Sequence, residues 1–339
     1  FVEKKHVISA NKDLIALHGP ELHEAAAKNN CDFYYEASVA GGIPILRGIT
    51  DGLASDRIER VIGIVNGTTN YILTKMAEEG TSYEDALKQA QELGFAEADP
   101  TADVEGLDAA RKMVILGRLA FSTPVDLKDV AVKGISDIST EDIKNGSELG
   151  YTMKLIGYAD FVDGKLEIHV LPTFLSNDHP LASVKNEYNA VYVYGKAIGE
   201  TMFYGPGAGS LPTATAIVSD LVHVVKNLKL GVTGQQITEN YFEKALKPAN
   251  ERFSQFYLRL HVKDEAGVFS RLSKLFHEYE ISLKRIIQRP NKKTKSAEII
   301  VVTHQTSEEN FTNLLEKINY LDALQKIDSY YRVEGDGTE

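Results

Sequence analysis

The sequence has few of the features that indicate a membrane-spanning, secreted or nucleic-acid-binding protein. Its single cysteine, Cys31, has no partner within the chain for a disulfide, and so few thiols are typical of a reducing compartment. No apolar run approaches the roughly eighteen residues that a transmembrane helix needs, and no signal peptide is evident. There are 48 acidic and only 37 basic residues, and the net charge of −11 disfavours electrostatic binding to nucleic acids or anionic membranes. These absences predict a soluble cytoplasmic protein.

The sequence also lacks the Gly-x-Gly-x-x-Gly motif that marks a dinucleotide-binding turn between a strand and a helix. The segment 205–210 is rich in glycine, but its spacing differs and Pro206 and Pro212 flank it. With 339 residues the chain is long enough for two or three domains with large cores. A domain that binds a dinucleotide unaided is therefore not expected within this chain.

Charged residues are concentrated around one predicted helix start. Gly94 suits the left-handed position after a helix, and Asp103 suits an N-cap, so the pattern predicts a helix that begins near Asp103. On that helix Asp108 and Lys112 are four residues apart and share one face, while Glu97 lies on the loop before it. Such a pair taken alone is more often a surface ion pair than a catalytic one.

Two further segments combine a strand end with polar groups. The strand 33–39 carries Glu36 and runs into the turn 40–44, where one carboxylate and several carbonyl oxygens would suit a hard cation or, equally simply, form a turn without an ion. The strand 58–65 ends at Asn66-Gly67, and Thr68 to Asn70 can cap the next helix. The same backbone N–H groups and the Thr68 hydroxyl could instead bind a substrate carboxylate.

An earlier helix and the end of the chain have clear patterns of their own. Gly19-Pro20 predicts a helix that starts at the proline, followed by acidic and then basic residues. The tail alternates as strand, helix, strand, strand, helix and strand, which predicts a βαββαβ unit. Because such a unit leaves one edge strand and one sheet face open, we expect a homodimer or homotetramer.

The order of several motifs resembles that of the homoserine dehydrogenase family. The matching segments are Val7–Lys12, Tyr35–Pro44, Gly63–Tyr71, Ala90–Lys112 and Gly205–Gly209. Members of this family reduce aspartate 4-semialdehyde to homoserine with NAD or NADP, on the route to threonine and methionine, and some carry a C-terminal ACT domain that binds an amino acid. The resemblance covers almost the whole chain.

The resemblance implies an α/β and α+β fold in five parts. We expect a remnant of a Rossmann-like nucleotide-binding domain, a mixed-sheet catalytic and dimerisation domain, a loop and helix that return to the nucleotide domain, a linker, and a ferredoxin-like ACT domain. The bounds of these parts are 1–33, 34–204, 205–230, 231–255 and 256–334. Most of the nucleotide-binding domain would be missing, so we expect this chain by itself to bind the cofactor poorly and to be inactive.

The resemblance also implies a set of site residues. Lys112 would be the catalytic acid, oriented by Asp108. Substrate binding would involve Glu97, Thr68, Asp103 and Lys12. The cofactor would contact Lys12 and Gly209. Sodium would be held by Glu36 and the carbonyl groups of Val39, Gly41 and Ile43. An effector, for which the family suggests L-threonine, would be bound by Asp264 and Gly267.

Two alternatives stay open at this point. The chain would otherwise be a non-catalytic, amino-acid-binding regulatory protein, and the ACT domain would otherwise serve only for oligomerisation. The choice between NAD and NADP is also open, because the residue that recognises the ribose is not among these motifs.

Overall fold

The computed structural model describes residues 1–235, 241–291 and 295–335. Residues 236–240 of the predicted linker therefore lie outside the described residues. The chain divides into two compact units, the first made of Phe1–Ile143, Lys154–Leu171 and Ser183–Leu246, and the second of Lys144–Met153, Pro172–Ala182 and Lys247–Glu339. No helix of the described part is long and apolar enough to cross a membrane.

The first unit is built from a mixed sheet, a short parallel strand pair and helices. In chain order its elements are β1 (Val7–Ile8), α1 (Lys12–Lys28), β2 (Phe33–Tyr34), α2 (Ile45–Arg47), β3 (Ile58–Ile64), α3 (Gly67–Glu79), α4 (Tyr83–Glu92), α5 (Thr101–Val104), α6 (Leu107–Phe121), β4 (Ala131–Val132), α7 (Thr140–Glu148), β5 (Tyr151–Val162), β6 (Lys165–Ser176), β7 (Tyr188–Gly195), β8 (Gly199–Pro206) and α8 (Ser210–Leu230). Of these, α7, β5 and β6 give residues to both units.

The strand order within the sheet of the first unit is β6-β5-β3-β7-β8, and β4 lies beside β6. Strand β3 is antiparallel to both of its neighbours, while β1 and β2 form a separate parallel pair joined through α1. Helix α6 packs closely on the sheet, because a Cβ atom at Gly157 of β5 would lie 2.5 Å from Cγ of Met113. This packing holds one face of α6 beside the end of β3.

The predicted start of the first helix is wrong. Helix α1 begins at Lys12, where the side chain of Asn11 accepts a hydrogen bond of 3.0 Å from the backbone N–H of Leu14. Pro20 therefore lies inside the helix, where it removes one backbone hydrogen bond. The cap and the burial of Ile15 and Ala16 outweigh that loss, which local sequence preference alone does not reveal.

The second unit contains the predicted βαββαβ unit. Its elements are β9 (Phe253–Lys263), α9 (Val268–Glu278), β10 (Leu283–Asn291), β11 (Ser296–Thr303), β12 (Thr306–Ser307), α10 (Glu308–Ile318) and β13 (Leu324–Glu334). The strand order β10-β11-β9-β13 is antiparallel throughout, and the βαββαβ prediction is confirmed. Apolar side chains of α9 and α10 cover one face of this sheet, with Leu272, Phe311 and Leu314 almost fully buried.

The other face of this sheet is not open, contrary to the prediction. The ring of Phe174, at the end of β6, lies 4.9 Å from the ring of Tyr257 and 5.5 Å from that of Tyr331. Ile300 on the same sheet is 1% exposed. The sequence pattern did not show that a distant segment supplies this cover, so an open sheet face is no argument for oligomerisation.

Candidate active site

Three separate segments of the first unit meet at the end of β3. Helix α1 brings Lys12, the residues after β3 bring Val65 and Asn66, and α6 brings Asp108 and Lys112. The Oδ1 atom of Asp108 lies 2.8 Å from Nζ of Lys12, and its Oδ2 atom lies 2.7 Å from Nζ of Lys112. The predicted pairing on one helix face is confirmed, and a second ammonium group completes it.

The electrostatic balance of this trio favours a charged carboxylate. Asp108 is 4% exposed, and burial by itself raises the pKa of its carboxyl group. The Lys112 and Lys12 ammonium groups outweigh burial and hold the pKa of Asp108 well below its usual range. Burial likewise lowers the pKa of Lys12, but the charge and hydrogen bond of Asp108 raise that pKa above its ordinary value.

The backbone also holds the Lys112 ammonium group. Its Nζ atom donates a hydrogen bond of 2.7 Å to the carbonyl oxygen of Val65 and another of 2.7 Å to Asp108. These two acceptors take two of its three N–H donors, and its side chain is 12% exposed. The ammonium group is therefore held in place and retains one donor for a ligand.

Asn66 joins this trio to a further carboxylate. Its amide nitrogen donates hydrogen bonds of 2.7 Å to Asp103 and 2.8 Å to Asp108. Burial raises the pKa of the Asp103 carboxyl group, and the hydrogen bond from Asn66 opposes that rise. Asp103 thus lies beside the trio, and its substrate-binding role stays a prediction.

The helix that presents Asp108 does not begin at Asp103, so that prediction is wrong. Asp103 lies in the short helix α5, and α6 starts at Leu107 after Gly106, whose φ angle is +79°. A Cβ atom on Gly106 would lie 3.1 Å from a methyl carbon of Val132. A left-handed residue in a crowded position thus separates the two helices, where the pattern suggested one.

The cap of α3 also differs from the prediction. Asn66, and not a residue between Thr68 and Asn70, is the N-cap, and its side-chain oxygen accepts a hydrogen bond of 2.9 Å from the N–H of Thr69. The Thr68 hydroxyl donates a bond of 2.5 Å to the carbonyl oxygen of Phe95. Thr68 therefore ties the loop after α4 to the start of α3, close to the trio.

Glu97 lies on that loop as predicted, but apart from the charge cluster. It is exposed, and among the described residues its carboxylate joins none of the ion pairs above. Its backbone carbonyl accepts a hydrogen bond of 3.1 Å from Gln91. The substrate-binding role of Glu97 stays a prediction.

The glycine-rich loop after β8 leads directly into α8. Gly209 is the N-cap of this helix, with a φ angle of +119°. The loop packs against the turn after β2, because a Cβ atom on Gly41 would lie 2.7 Å from the carbonyl oxygen of Gly207. The N-terminus of a long helix therefore lies at Gly209, and a helix N-terminus suits an anionic ligand group.

The residues predicted to hold sodium adopt a different arrangement. Both carboxylate oxygens of Glu36 accept backbone N–H bonds, of 2.8 Å from Leu46 and 3.0 Å from Arg47, and the Arg47 guanidinium lies 3.9 Å away. The carbonyl of Ile43 accepts a bond of 2.8 Å from Ile45. Val39 is fully buried just before this turn.

A nearby guanidinium repels a cation, and the Glu36 oxygens already have donors. The Glu36 carboxylate therefore does not fit the role of a sodium ligand, and the described residues contain no group of three or more His, Cys, Asp or Glu side chains that could hold a metal. Of the predicted sodium ligands, only the carbonyl groups of Val39, Gly41 and Ile43 stay predictions from the resemblance.

In the second unit, the predicted effector residues lie on one exposed turn. Gly267 has a φ angle of +86° and is the N-cap of α9. Asp264 is exposed, and its N–H donates a hydrogen bond of 3.0 Å to the carbonyl of Lys295. Both residues are accessible to a small molecule, and the predicted role remains to be tested.

Sequence reasoning missed Asn66 as part of the site. The motif Asn66-Gly67 was interpreted as a strand end and Thr68 as the polar contact. One signal was available, since asparagine immediately before a helix is a preferred N-cap. Its contact with two carboxylates from another part of the chain had no local signal.

Comparisons with known proteins agree with the geometry. The family profile described as homoserine dehydrogenase matches residues 44–222, and the ACT domain profile matches residues 256–323. A homoserine dehydrogenase of Bacillus subtilis (strain 168) is 59% identical over 335 residues, which covers 98% of this chain and 77% of the relative.

Solved structures give the same result. The crystal structure of a homoserine dehydrogenase from Thiobacillus denitrificans matches with a TM-score of 0.92 and 38% identity, covering 98% of this chain and 77% of that one. A hyperthermophilic archaeal homoserine dehydrogenase in complex with NADPH matches with a TM-score of 0.58 and 30% identity, covering 66% of this chain and 65% of that one. The chain therefore belongs to the homoserine dehydrogenase family of oxidoreductases and carries an ACT domain.

Proposed function

We propose that the chain carries the catalytic residues for the reversible NAD(P)-dependent reduction of L-aspartate 4-semialdehyde to L-homoserine, a step towards threonine and methionine. The expectation that it binds the cofactor poorly and is inactive by itself stays a prediction. The observation that supports the proposal most directly is the buried Asp108 carboxylate held between the ammonium groups of Lys12 and Lys112. In the reduction the aldehyde carbon gains a hydride and its oxygen gains a proton. A positioned acid is therefore the protein's main chemical task.

Lys112 is the proposed acid. Asp108 and the Val65 carbonyl orient its ammonium group, and the remaining N–H points to no acceptor among the described residues. The proton moves from Nζ of Lys112 to the oxygen that becomes the hydroxyl, and it moves back when homoserine is oxidised. Lys12, on the opposite oxygen of Asp108, adds positive charge that favours an anionic ligand group.

The substrate is held at its two ends by the remaining predicted residues. Glu97 binds its ammonium group by a charge-assisted hydrogen bond, and Thr68 lies at the N-terminus of α3, which suits its carboxylate. Asp103, which accepts a hydrogen bond from Asn66, contributes a further carboxylate for the substrate. Such positioning contributes to the rate because it holds the aldehyde oxygen beside the acid.

The residues present fit a nicotinamide dinucleotide. The N-terminus of α8 at Gly209 suits a phosphate group, and the Lys12 ammonium group adds positive charge for the cofactor. When bound, the cofactor supplies the hydride. The homologue in complex with NADPH supports NADP as one suitable form.

We also propose the five-part division given by the resemblance, with the βαβ connection β1-α1-β2 as part of the nucleotide-binding domain. The parallel pairing of β1 with β2 supports this assignment. For the second unit we propose a homo-oligomer that binds L-threonine at Asp264 and Gly267, because a carboxylate on an exposed turn suits an amino-acid ligand.

The test is Lys112→Ala in the purified enzyme, followed by homoserine-dependent formation of NAD(P)H. We expect turnover to fall by about 10² or more with little change in cofactor affinity. Lys28→Ala is the matched control, because Lys28 forms an exposed pair with Glu24 at the same spacing and should leave turnover unchanged. A raised KM with normal turnover would contradict the acid role of Lys112.

The second candidate is a regulatory protein that binds an amino acid without catalysing a reaction, which the ACT domain alone would suit. That protein would show no NAD(P)-dependent turnover, and Lys112→Ala would change nothing. The same assay therefore separates the two candidates.

A further inference from the structure

We propose that Asn66 is a positioning residue for the reaction: its side-chain amide fixes the Asp108 carboxylate, and through it the Lys112 ammonium group. This inference rests on the proposed function. Asn66 is 5% exposed and lies between β3 and α3, where three segments of the chain meet.

The nitrogen end of the amide bridges two carboxylates. It donates a hydrogen bond of 2.7 Å to Oδ1 of Asp103 and another of 2.8 Å to Oδ2 of Asp108. An amide nitrogen has two hydrogens, so each hydrogen serves one carboxylate. Two like charges from different helices are thereby held close together, an arrangement that their repulsion opposes in the absence of a shared donor.

The oxygen end of the same amide is anchored to α3. It accepts a hydrogen bond of 2.9 Å from the N–H of Thr69 and another of 3.0 Å from the Thr69 hydroxyl. A backbone N–H can only donate, so this contact assigns the amide oxygen to Thr69 and the nitrogen to the carboxylates. The orientation of the amide is therefore determined by its hydrogen bonds.

The position of the Lys112 ammonium group depends on the groups that donate hydrogen bonds to the Asp108 carboxylate. Its Oδ1 atom is paired with Lys12, and its Oδ2 atom accepts from both Lys112 and Asn66. Without Asn66 the carboxylate can turn about its side-chain bonds, and the Lys112 ammonium group moves with it. A displacement of about 1 Å at a reacting group can cost roughly 10²-fold in rate.

Capping and positioning can be separated by choice of variant. Serine and aspartate are both good N-caps, so Asn66→Ser and Asn66→Asp keep the cap of α3 but lose the N–H donors. Ser82→Ala is the matched control. Ser82 caps α4, because its hydroxyl oxygen accepts a hydrogen bond of 3.1 Å from the N–H of Asp85, and it lies outside the site.

The experiment measures kcat, KM and melting temperature for the three variants and the unmodified enzyme. We expect both Asn66 variants to lose at least about 10-fold in kcat. Asn66→Asp should also lower the melting temperature more than Asn66→Ser, because it adds a carboxylate beside Asp103 and Asp108. Ser82→Ala should lower the melting temperature and leave kcat unchanged. A loss of kcat under twofold in both Asn66 variants, or a loss that accompanies an equal fall in melting temperature in all three, would overturn the proposal.

A second measurement follows the carboxylates directly. In protein labelled with carbon-13 at the aspartate carboxyl groups, Asn66→Ser should move the titration of Asp103 to higher pH, because one bond that lowers its pKa is removed. An unmoved titration would contradict the bridging role. This titration needs no turnover, so it decides whether Asn66 holds the carboxylates independently of whether the unmodified protein oxidises homoserine.

Discussion

The same residue spacing gives two different results in this molecule. Lys28 and Glu24 are four residues apart on α1 and both side chains are largely exposed, at 69% and 66%. Lys112 and Asp108 are four residues apart on α6, with 12% and 5% of the side chains exposed. A solvated pair contributes little, whereas a buried pair with further partners fixes a charge in space. Burial, and not spacing, distinguishes the chemical pair.

The first prediction at the residue scale is that Asp108→Asn reduces turnover by about 10² or more. The amide removes the negative charge that pairs with both Lys12 and Lys112, so the pKa of Lys12 should fall, because burial then acts without the opposing charge of Asp108. Steady-state kinetics over a range of pH measure this. Glu24→Gln is the control on the exposed pair, and an equal effect of both changes would argue against a special role for Asp108.

The second prediction concerns a lysine outside the active site. Lys154 is 2% exposed, its Nζ atom donates to Asn70 and to the Val184 carbonyl, and burial lowers its pKa to about 7. In the unfolded chain the Lys154 ammonium group keeps its proton up to about pH 10.4. Between these pH values the unfolded state binds more protons, so the contribution of Lys154 to stability rises with pH.

We therefore compare the free energy of unfolding of the unmodified protein with that of Lys154→Met. The difference should be constant below pH 7 and then rise in favour of the unmodified protein, with a limiting slope of about 1.4 kcal/mol per pH unit. Lys28→Met, on the protein surface, should show no such rise. A difference that stays flat up to pH 9.5 would show that Lys154 keeps its proton in the folded protein.

At the scale of secondary structure, the break between α5 and α6 matters most for the site. Gly106 permits the left-handed turn that lets Asp103 and Asp108 approach the same amide from different helices. One continuous helix would place these residues five positions apart, on different faces. The geometry of the site thus depends on a residue with no side chain.

The third prediction is that Gly106→Ala destabilises the fold by about 1–2 kcal/mol, because an L-residue is strained at this φ angle. It should also lower kcat, since the new methyl group would meet Val132 and shift the start of α6. Gly80→Ala is a matched control, with a φ angle of +65° and no atom within 4 Å of the added Cβ. Thermal unfolding measures the loss of stability in both variants, and steady-state kinetics should show a lower kcat for Gly106→Ala only. A normal kcat for Gly106→Ala would contradict the argument.

The secondary structure of this chain was largely predictable where local signals agree. Gly80 ends α3 in the left-handed conformation, Ser82 caps α4, and the βαββαβ tail has its predicted order. The start of α1 was not predictable, because tertiary packing outweighs the helix-breaking preference of Pro20. The candidate site residues come from the resemblance and stay predictions. The place of Asn66 among them was not predictable, since its contact with two distant carboxylates depends on tertiary structure.

At the scale of the whole molecule, the second unit changes the argument for assembly. The aromatic cluster formed by Phe174, Tyr257 and Tyr331 covers the sheet face that was expected to be open. Within the part of the chain that the structure describes, strand β10 still forms the end of the strand order, next to β11. A strand at the edge of a sheet is a structural reason to expect two copies to associate.

The fourth prediction concerns ligand binding by this unit. Isothermal titration with L-threonine should give binding heat that Asp264→Ala removes, because Asp264 is proposed to pair with the ligand ammonium group. Asp322→Ala, another exposed aspartate of the same unit, should bind normally. No heat from the unmodified protein, or equal heat from all variants, would leave only an oligomerisation role for this domain.

The meeting of Lys12, Asn66 and Asp108 from three distant segments has a consequence for how the protein folds. Bringing such segments together costs loop-closure entropy that no local contact repays. The trio of Lys12, Asp108 and Lys112 therefore cannot form in a short peptide or in a partly collapsed chain. It forms only when β3, α1 and α6 have docked. During refolding, enzymatic activity should consequently return with the slowest phase of the tertiary signal, after helical circular dichroism has recovered.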